Sequence, residues 1–471
     1  MSRRSQGPLA VFLFAALTVF GAAPAMAAPL PAAQVAEIDR IVSGALAKSG
    51  APSASIAVVR HGEIALVKAY GERSLAPISP ATTEARYHSG SVSKQFTAAA
   101  VLLLAEQGKL SLDDPVGRYF PSLTSADRVT VRQLLSHTAG YPNYWTVGYV
   151  APYLTQRVAP QAVVDRWGRQ PLDFAPGSKW NYTNTGYMIA GRIAETVAGE
   201  PLPALLRRLV FAPLAMKSAG DLCDRPLREA DARGYTRYVL GPPRPPSLPA
   251  CGWEFAAGGL AMTARDLAKW DVSVIAQSLM KPASYAAQQL DTRLSDGSAS
   301  GYGLGVYVDA VRGHRRIQHD GAAMGFLTQN RIYPDDRTAV VVMVNADYGS
   351  ASHTIAEAIE AMLLPTGAGS PAKEPTALSR NLVGQLREGR LDRSLLTANA
   401  NAYFTDAVVA DYRDSLSKLG EPVGFVREKA DVIDGLNASI DVLTWPDHKL
   451  ILIMRLLPDG RVEELTIFSP D

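Results

Sequence analysis

The sequence predicts an α/β fold of the α+β type, in which one antiparallel sheet is flanked by helices and interrupted by an inserted helical domain. Near the N-terminus, VAEIDRIVSGALAKSG has apolar residues at helical spacing. The next segment, SASIAVVRHGEIALVKAYG, contains two β-branched runs split by His61-Gly62, which indicates a hairpin. Strand-like runs return after about residue 303, so both ends of this region are expected to build one sheet.

The later elements follow from the same patterns. Four runs are typical of strands, GYGLGVYVD, RRIQHDG, GFLTQNRIYP and TAVVVMVNAD, and HTIAEAIEAMLL is typical of a helix. Residues of about 105–300 form the helical insertion of a domain over 28–365. Residues 366–376 have the composition of a linker, and 377–471 are expected to form a small α+β domain of two helices and four strands.

The first 27 residues are typical of an export signal. Arg3 and Arg4 precede an apolar run, which is followed by the small-residue sequence Ala25-Met26-Ala27. We therefore expect cleavage after Ala27, a periplasmic or secreted protein, and no membrane span in the mature chain. The export route stays open, because the arginine pair lacks the rest of a twin-arginine signal.

The charge and the cysteine content further limit the class of protein that this chain can belong to. Without the signal the chain has 45 basic and 45 acidic residues, whereas a nucleic-acid-binding protein normally has a basic excess. The two cysteines, Cys223 and Cys251, could form one disulfide in an exported protein. The histidines show no metal-ligand spacing and no glycine-rich phosphate loop occurs, so no cofactor and no metal site is expected.

The segment SVSKQFTAAAVLLL places Ser91 and Lys94 three residues apart at the start of an apolar helix, on the same face. Free N–H groups in the first turn favour a developing oxyanion. A lysine desolvated there would have a lowered pKa and could accept the serine proton. The alternative is a capping serine with a solvated lysine, and the tetrapeptide alone does not decide between them.

Two further segments carry candidate residues. In FAPGSKWNYTNTGY, Tyr182 and Asn184 lie two apart before another helix, where a phenol could relay protons and an amide could orient a lysine. A nearby ammonium would lower the tyrosine pKa. In RRIQHDGAAMGFL, we expect His319, Gly321 and Ala322 to contact the substrate. Gly321 would let a ligand approach the backbone, and the N–H of Ala322 could be a second oxyanion donor beside that of Ser91.

Together these three motifs resemble the serine β-lactamase and penicillin-binding-protein superfamily, most of all its class C β-lactamase-like esterases and D-peptidases. The flanking phrases LLSHTAGYP, FAPGSKWNYTNTGY and GGLAMTARDLAKW are similar too, and the resemblance covers about residues 38–364. It implies that Ser91 is the nucleophile, Lys94 its base or proton relay and Tyr182 the deacylation base. Asn184 would position lysine and substrate.

The resemblance departs from class C β-lactamases at His319, where those enzymes carry a lysine. A histidine at neutral pH offers no permanent cation for a substrate carboxylate, which favours ester or amide substrates over β-lactams. A β-lactamase, a D-alanyl-D-alanine carboxypeptidase and a binding or sensor protein without turnover remain the alternatives. His137 and Tyr141 in LLSHTAGYP are expected to be structural, and the C-terminal region is similar to the ketosteroid-isomerase-like fold.

Overall fold

A computed structural model describes residues 29–145, 150–237, 241–364, 376–433, 436–457 and 460–468. The predicted signal peptide, residues 1–27, and residues 366–375 of the predicted linker lie outside this part. The domain boundaries given above therefore stay predictions.

Thirteen helices and fourteen strands lie in the described residues. The helices are α1 Ala32–Ser49, α2 Ser93–Glu106, α3 Val131–Leu135, α4 Pro160–Trp167, α5 Asn184–Ala198, α6 Leu202–Leu206, α7 Phe255–Gly258, α8 Ala264–Ala276, α9 Pro282–Gln288, α10 Ala351–Leu363, α11 Ala377–Arg387, α12 Ala398–Tyr403 and α13 Asp406–Leu419. The strands are β1 Ser53–Arg60, β2 Glu63–Leu75, β3 Ile78–Pro80, β4 Tyr87–His88, β5 Gly220–Asp221, β6 Leu260–Met262, β7 Tyr307–Val311, β8 His314–Ala323, β9 Phe326–Tyr333, β10 Thr338–Val344, β11 Gly424–Ile433, β12 Leu436–Thr444, β13 Lys449–Leu456 and β14 Val462–Phe468.

The main sheet has seven antiparallel strands in the order β3-β2-β1-β10-β9-β8-β7. Strands β1 and β10, from opposite ends of this region, pair with Ala54 opposite Val344. This confirms the prediction of one antiparallel sheet built from both ends. The β1–β2 hairpin turns at His61 and Gly62, which both have positive φ values, 54° and 81°.

The two faces of the main sheet bury separate cores. On one face, alternate residues of β1 and β10, such as Ile56 and Val342, pack against α1 and α10. On the other face, Ala57 and Val341 belong to a larger core formed with α2, α5 and α8. Because helix α2, which begins two residues after Ser91, lies in this larger core, its N-terminus is held against the sheet rather than at the surface.

The last part of the chain forms a second, four-stranded sheet in the order β11-β12-β13-β14. Helices α11 and α13 agree with the two helices predicted here, and α12 is an addition that the sequence pattern did not indicate. Its buried cluster includes Leu382, Phe404 and Leu452 and contains only residues after Ala377. No helix in the described residues combines the length and the hydropathy that crossing a membrane requires.

Candidate active site

Ser91 lies in a single 3-10 turn, Gly90–Val92, which leads directly into α2. Gly90 has a φ of 51°, and a Cβ atom there would lie 2.9 Å from the carbonyl oxygen of Ala322 on β8. The turn is thus pressed against the edge of β8. Ser91 is partly exposed while its neighbours Gly90 and Val92 are buried, so Ser91 is the residue of this turn that solvent reaches.

Lys94 follows one helical turn later and its side chain is fully buried, with 0% exposed. Its Nζ lies 3.0 Å from Ser91 Oγ and 2.9 Å from Asn184 Oδ1. It also donates to the carbonyl oxygen of Ala257 on α7 at 2.7 Å. Three oxygens therefore fix the amine beside the hydroxyl, and the solvated-lysine alternative does not describe this structure.

Burial lowers the pKa of Lys94 to about 7, although the nearby carboxylates of Asp320 and Glu254 act to raise it. The charged form of a lysine is disfavoured when water is removed, and here that effect exceeds the attraction of two acids. A large fraction of Lys94 is therefore neutral at physiological pH, and a neutral amine can take the proton of Ser91.

We expect kcat/KM for an uncharged ester to rise with pH and to reach half its maximum near pH 7. Only neutral Lys94 can act as base, so activity is lost as the pH falls through the lysine pKa, about 7. Initial-rate assays between pH 5 and 9 would measure this dependence of kcat/KM on pH. A profile that stays flat across pH 7 would contradict the assignment of Lys94 as base.

Tyr182 and Asn184 reach the same point from the start of α5. The N-cap of this helix is Thr183, whose Oγ1 accepts from the N–H of Thr185 at 3.2 Å, so Asn184 is free to face Lys94. Lys94 Nζ lies 4.8 Å from the centre of the Tyr182 ring, and the side chain of Ser91 is close enough to the phenol to act on its pKa.

The pKa of Tyr182 is raised in this structure, so the condition of an ammonium that lowers it is not met. Burial raises that pKa well above its usual value of 10, and the side chain of Ser91 only partly opposes this effect. Tyr182 is consequently a neutral phenol near pH 7. It can pass a proton on, but a proton taken from Ser91 comes to rest on Lys94.

His319 does not line the cleft beside Ser91, contrary to the expectation of a substrate-binding residue. Only 1% of it is exposed. Its Nε2 is hydrogen-bonded to the hydroxyl of Tyr302 at 2.9 Å and its Nδ1 lies 2.6 Å from the carbonyl oxygen of Asp320. Burial lowers its pKa to about 4, so the imidazole is neutral and offers no cation to a substrate.

Gly321 and Ala322 lie on the stretch of β8 that touches the serine turn. A Cβ on Gly321 would lie 2.0 Å from the carbonyl oxygen of Ser89. The close approach expected at this glycine is therefore made by the chain's own turn and not by a ligand. Ala322 is exposed and lines the same cleft as Ser91, where its N–H can serve as the second oxyanion donor.

Replacing Gly321 with alanine is expected to displace the serine turn and to abolish most activity, because the clash is with backbone that cannot rotate away. The matched control is Gly44→Ala in the middle of α1, where an added Cβ meets nothing within 4 Å. That control should retain full activity and gain up to about 1 kcal/mol of stability. Wild-type kcat/KM for the Gly321 variant would contradict the steric argument.

The residues converge on a cleft of about 430 Å³. Besides Ser91, Asn184 and Ala322 it is lined by Gly90, Tyr144, Trp145, Thr236, Arg237, Glu254, Ala257, Gly258, Ala323, Met324, Leu327, Asp347 and Tyr348. Sequence reasoning missed Glu254. Its signal was a lone acid between two aromatic residues, just before the phrase GGLAMTARDLAKW.

The two residues expected to be structural have different surroundings. The ring of His137 is buried 4.2 Å from that of Tyr182, and its Nδ1 accepts from the N–H of Thr183 at 3.2 Å, so it supports the segment that carries Tyr182 and Asn184. The hydroxyl of Tyr141 donates to the carbonyl oxygen of Thr124 at 2.9 Å, and Tyr141 belongs to the large core. Within the described ranges, no three His, Cys, Asp or Glu side chains are grouped so that they could hold a metal ion.

Comparison with known proteins identifies the family to which a chain with this site belongs. Residues 38–362 match the beta-lactamase family. The chain is 28% identical to a D-aminopeptidase of Brucella canis over 336 residues, which cover 70% of this chain and 62% of that enzyme. It therefore spans less than two thirds of that relative's length.

Solved structures agree with this match. A D-stereospecific amidohydrolase from Streptomyces sp. superposes with a TM-score of 0.61 and 25% identity, covering 70% of this chain and 99% of that one. The octameric penicillin-binding protein homologue from Pyrococcus abyssi gives a TM-score of 0.64 at 21% identity, covering 93% and 96% of the two chains. The second likeness concerns the fold alone.

Proposed function

The chain belongs to the beta-lactamase family, and from this premise we propose that it is a serine hydrolase that cleaves an ester or amide bond through an acyl-enzyme on Ser91. The observation that carries the proposal is the contact of Lys94 Nζ with Ser91 Oγ at 3.0 Å. A buried lysine with a pKa of about 7 beside a partly exposed serine has the properties of a base beside its nucleophile.

The steps follow from the positions of the groups. Neutral Lys94 takes the proton of Ser91 as Oγ attacks the carbonyl carbon, and the N–H groups of Ser91 and Ala322 stabilise the oxyanion. The proton then passes through the Tyr182 hydroxyl to the leaving group as the scissile bond breaks. Water attacks the acyl-enzyme and its proton returns along the same path to Lys94. As the bond between Ser91 Oγ and the acyl carbon breaks, Lys94 gives this proton to Oγ, so that the acid product departs and neutral Lys94 is restored.

Amide and ester substrates are favoured over β-lactams. Two of its relatives are named as a D-aminopeptidase and a D-stereospecific amidohydrolase. The neutral, buried His319 offers no cation for the carboxylate that β-lactams carry. A β-lactamase or a D-alanyl-D-alanine carboxypeptidase remains the alternative.

The proposal is tested by covalent labelling of Ser91. A fluorophosphonate probe should add one adduct by intact mass, and Ser91→Ala should remove it. A panel of short acyl esters, D-amino-acid amides and nitrocefin then ranks the substrates, with nitrocefin expected to be slowest. Labelling that survives Ser91→Ala would overturn the mechanism, and an acyl-enzyme stable for hours would favour a binding or sensor role.

We further propose that the protein acts in the periplasm or outside the cell. Cys223 and Cys251 form a disulfide with Cα atoms 5.6 Å apart, as the sequence suggested, and such bonds persist in oxidising compartments. N-terminal sequencing of the protein from its native host should start at Ala28. A start at Met1 or Ser2 in the cytoplasmic fraction would contradict export.

A further inference from the structure

Glu254 stands at the wall between the catalytic cleft and a second cavity. It lines the cleft together with Ser91 and Asn184, and it also lines the second cavity, as does Met324. About 20% of its side chain is exposed. The carboxylate is thus within the space that a substrate bound at Ser91 would share.

The carboxylate of Glu254 is weakly engaged by the protein. Among the residues that the structure describes, its ion-pair contact is with His88 Nε2 at 3.5 Å, and that nitrogen is also 2.8 Å from the carbonyl oxygen of Gly258. Two other charged residues of the cleft are held more firmly. Asp347 accepts from the N–H of Gly325 at 2.8 Å, and Arg237 stacks on Tyr348 at 4.3 Å.

During the reaction the negative charge of Glu254 is balanced even less well. Burial raises the pKa of Glu254, and His88 and, to a smaller extent, Lys94 act to lower it, but Lys94 acts as a base only when it is neutral. In that state the partly buried carboxylate faces the cleft with His88, 3.5 Å away, as its remaining partner of these two, which costs free energy. A cationic group on the substrate would supply the missing charge and would favour neutral Lys94 at the same time.

The second cavity, here called the side cavity, has a volume of about 260 Å³ and is mainly apolar. The disulfide of Cys223 and Cys251 forms part of its wall, together with Leu222, Pro226, Leu227, Ala250, Phe255 and Phe326. Asp221 also reaches this wall, where its Oδ1 accepts from the N–H of Cys223 at 2.8 Å. An apolar cavity of about 150 Å³ already holds benzene, so the side cavity can accept an aromatic or branched side chain.

We propose that Glu254 and the side cavity form a subsite for an acyl group that carries a free ammonium and a bulky apolar side chain. The favoured substrates are then amides or esters of apolar amino acids with a free amino group. This inference rests on the proposed hydrolysis at Ser91. Glu254 selects the charge of the substrate, and the side cavity selects its size.

The role of the charge is tested with two substrates that differ only in the amine. One is phenylalanine p-nitroanilide, used as each enantiomer, and the other is 3-phenylpropanoyl p-nitroanilide, which lacks the amine. The wild-type kcat/KM should favour the better amine-bearing enantiomer by about tenfold or more, the size of a hydrogen bond to a charged group. Glu254→Gln should remove this preference and leave the amine-free substrate little changed. Glu229→Gln, an exposed acid 25 residues before Glu254 that lines neither the cleft nor the side cavity, is the charge-matched control.

The size of the side cavity is tested separately with alanine, leucine and phenylalanine p-nitroanilides. The wild type should favour the larger side chains, and Leu227→Trp should reverse this order by filling the cavity. The wild-type series decides the point even if that variant does not fold. An unchanged amine preference in Glu254→Gln, or equal loss on both substrates with fluorophosphonate labelling intact, would overturn the proposal. Turnover by Ser91→Ala would instead overturn the proposed hydrolysis.

Discussion

Replacement of Lys94 by alanine is expected to lower kcat/KM for an ester by about a thousandfold, within the range for loss of a positioned base. Ser91 would remain partly exposed in its turn, but no group with a pKa near 7 would lie 3.0 Å from Oγ. Steady-state kinetics and fluorophosphonate labelling would both measure the loss. The control is Lys109→Ala, an exposed lysine three residues after the end of α2, which should keep wild-type rates.

Lys94→Arg separates the base from the positive charge. An arginine keeps the cation but does not lose its proton in proteins, so this variant should be as inactive as the alanine variant. Substantial activity in Lys94→Arg would mean that the residue acts by its charge alone. Circular dichroism and thermal melts of both variants would show whether the buried site still folds.

The fold was largely predictable because its main elements are long and strongly patterned. Strands such as β10 are continuous apolar runs, and the residues of β1 alternate between two cores. The small sheet β4-β6-β5 was not predicted, since its strands have two or three residues and such lengths carry no periodic signal. Helix α12, six residues long, was missed for the same reason.

The site was predictable where a side chain carries the chemistry. Ser91, Lys94, Tyr182 and Asn184 meet as their motifs indicated. The third acceptor of Lys94 is the backbone carbonyl of Ala257, 163 positions away. Every residue has such a carbonyl group, so the sequence gives no signal for this contact. The burial of His319 depends on its contact with Tyr302 and likewise required the tertiary structure.

Replacement of Tyr182 by phenylalanine is expected to stall the second half of the reaction, with a fall in kcat of about 10² to 10⁴. A p-nitrophenyl ester has a leaving group that needs no proton, so acylation of Ser91 should continue. Water attacking the acyl-enzyme would then lack the hydroxyl that hands its proton to Lys94. The expected time course is a burst of one equivalent of p-nitrophenol, followed by slow turnover.

The matched control is Tyr141→Phe, which removes a buried phenol whose hydrogen bond is to the carbonyl oxygen of Thr124. It should lose about 1 kcal/mol of stability and keep full turnover. Steady turnover at the wild-type rate in the Tyr182 variant would exclude a proton relay through Tyr182.

The expected burst in the Tyr182 variant has a specific implication for the path of the proton. Because burial keeps Tyr182 neutral and brings the pKa of Lys94 to about 7, the proton is stored on the lysine and only conducted by the tyrosine. Loss of Lys94 should therefore prevent acylation, whereas loss of Tyr182 should trap the acylated enzyme.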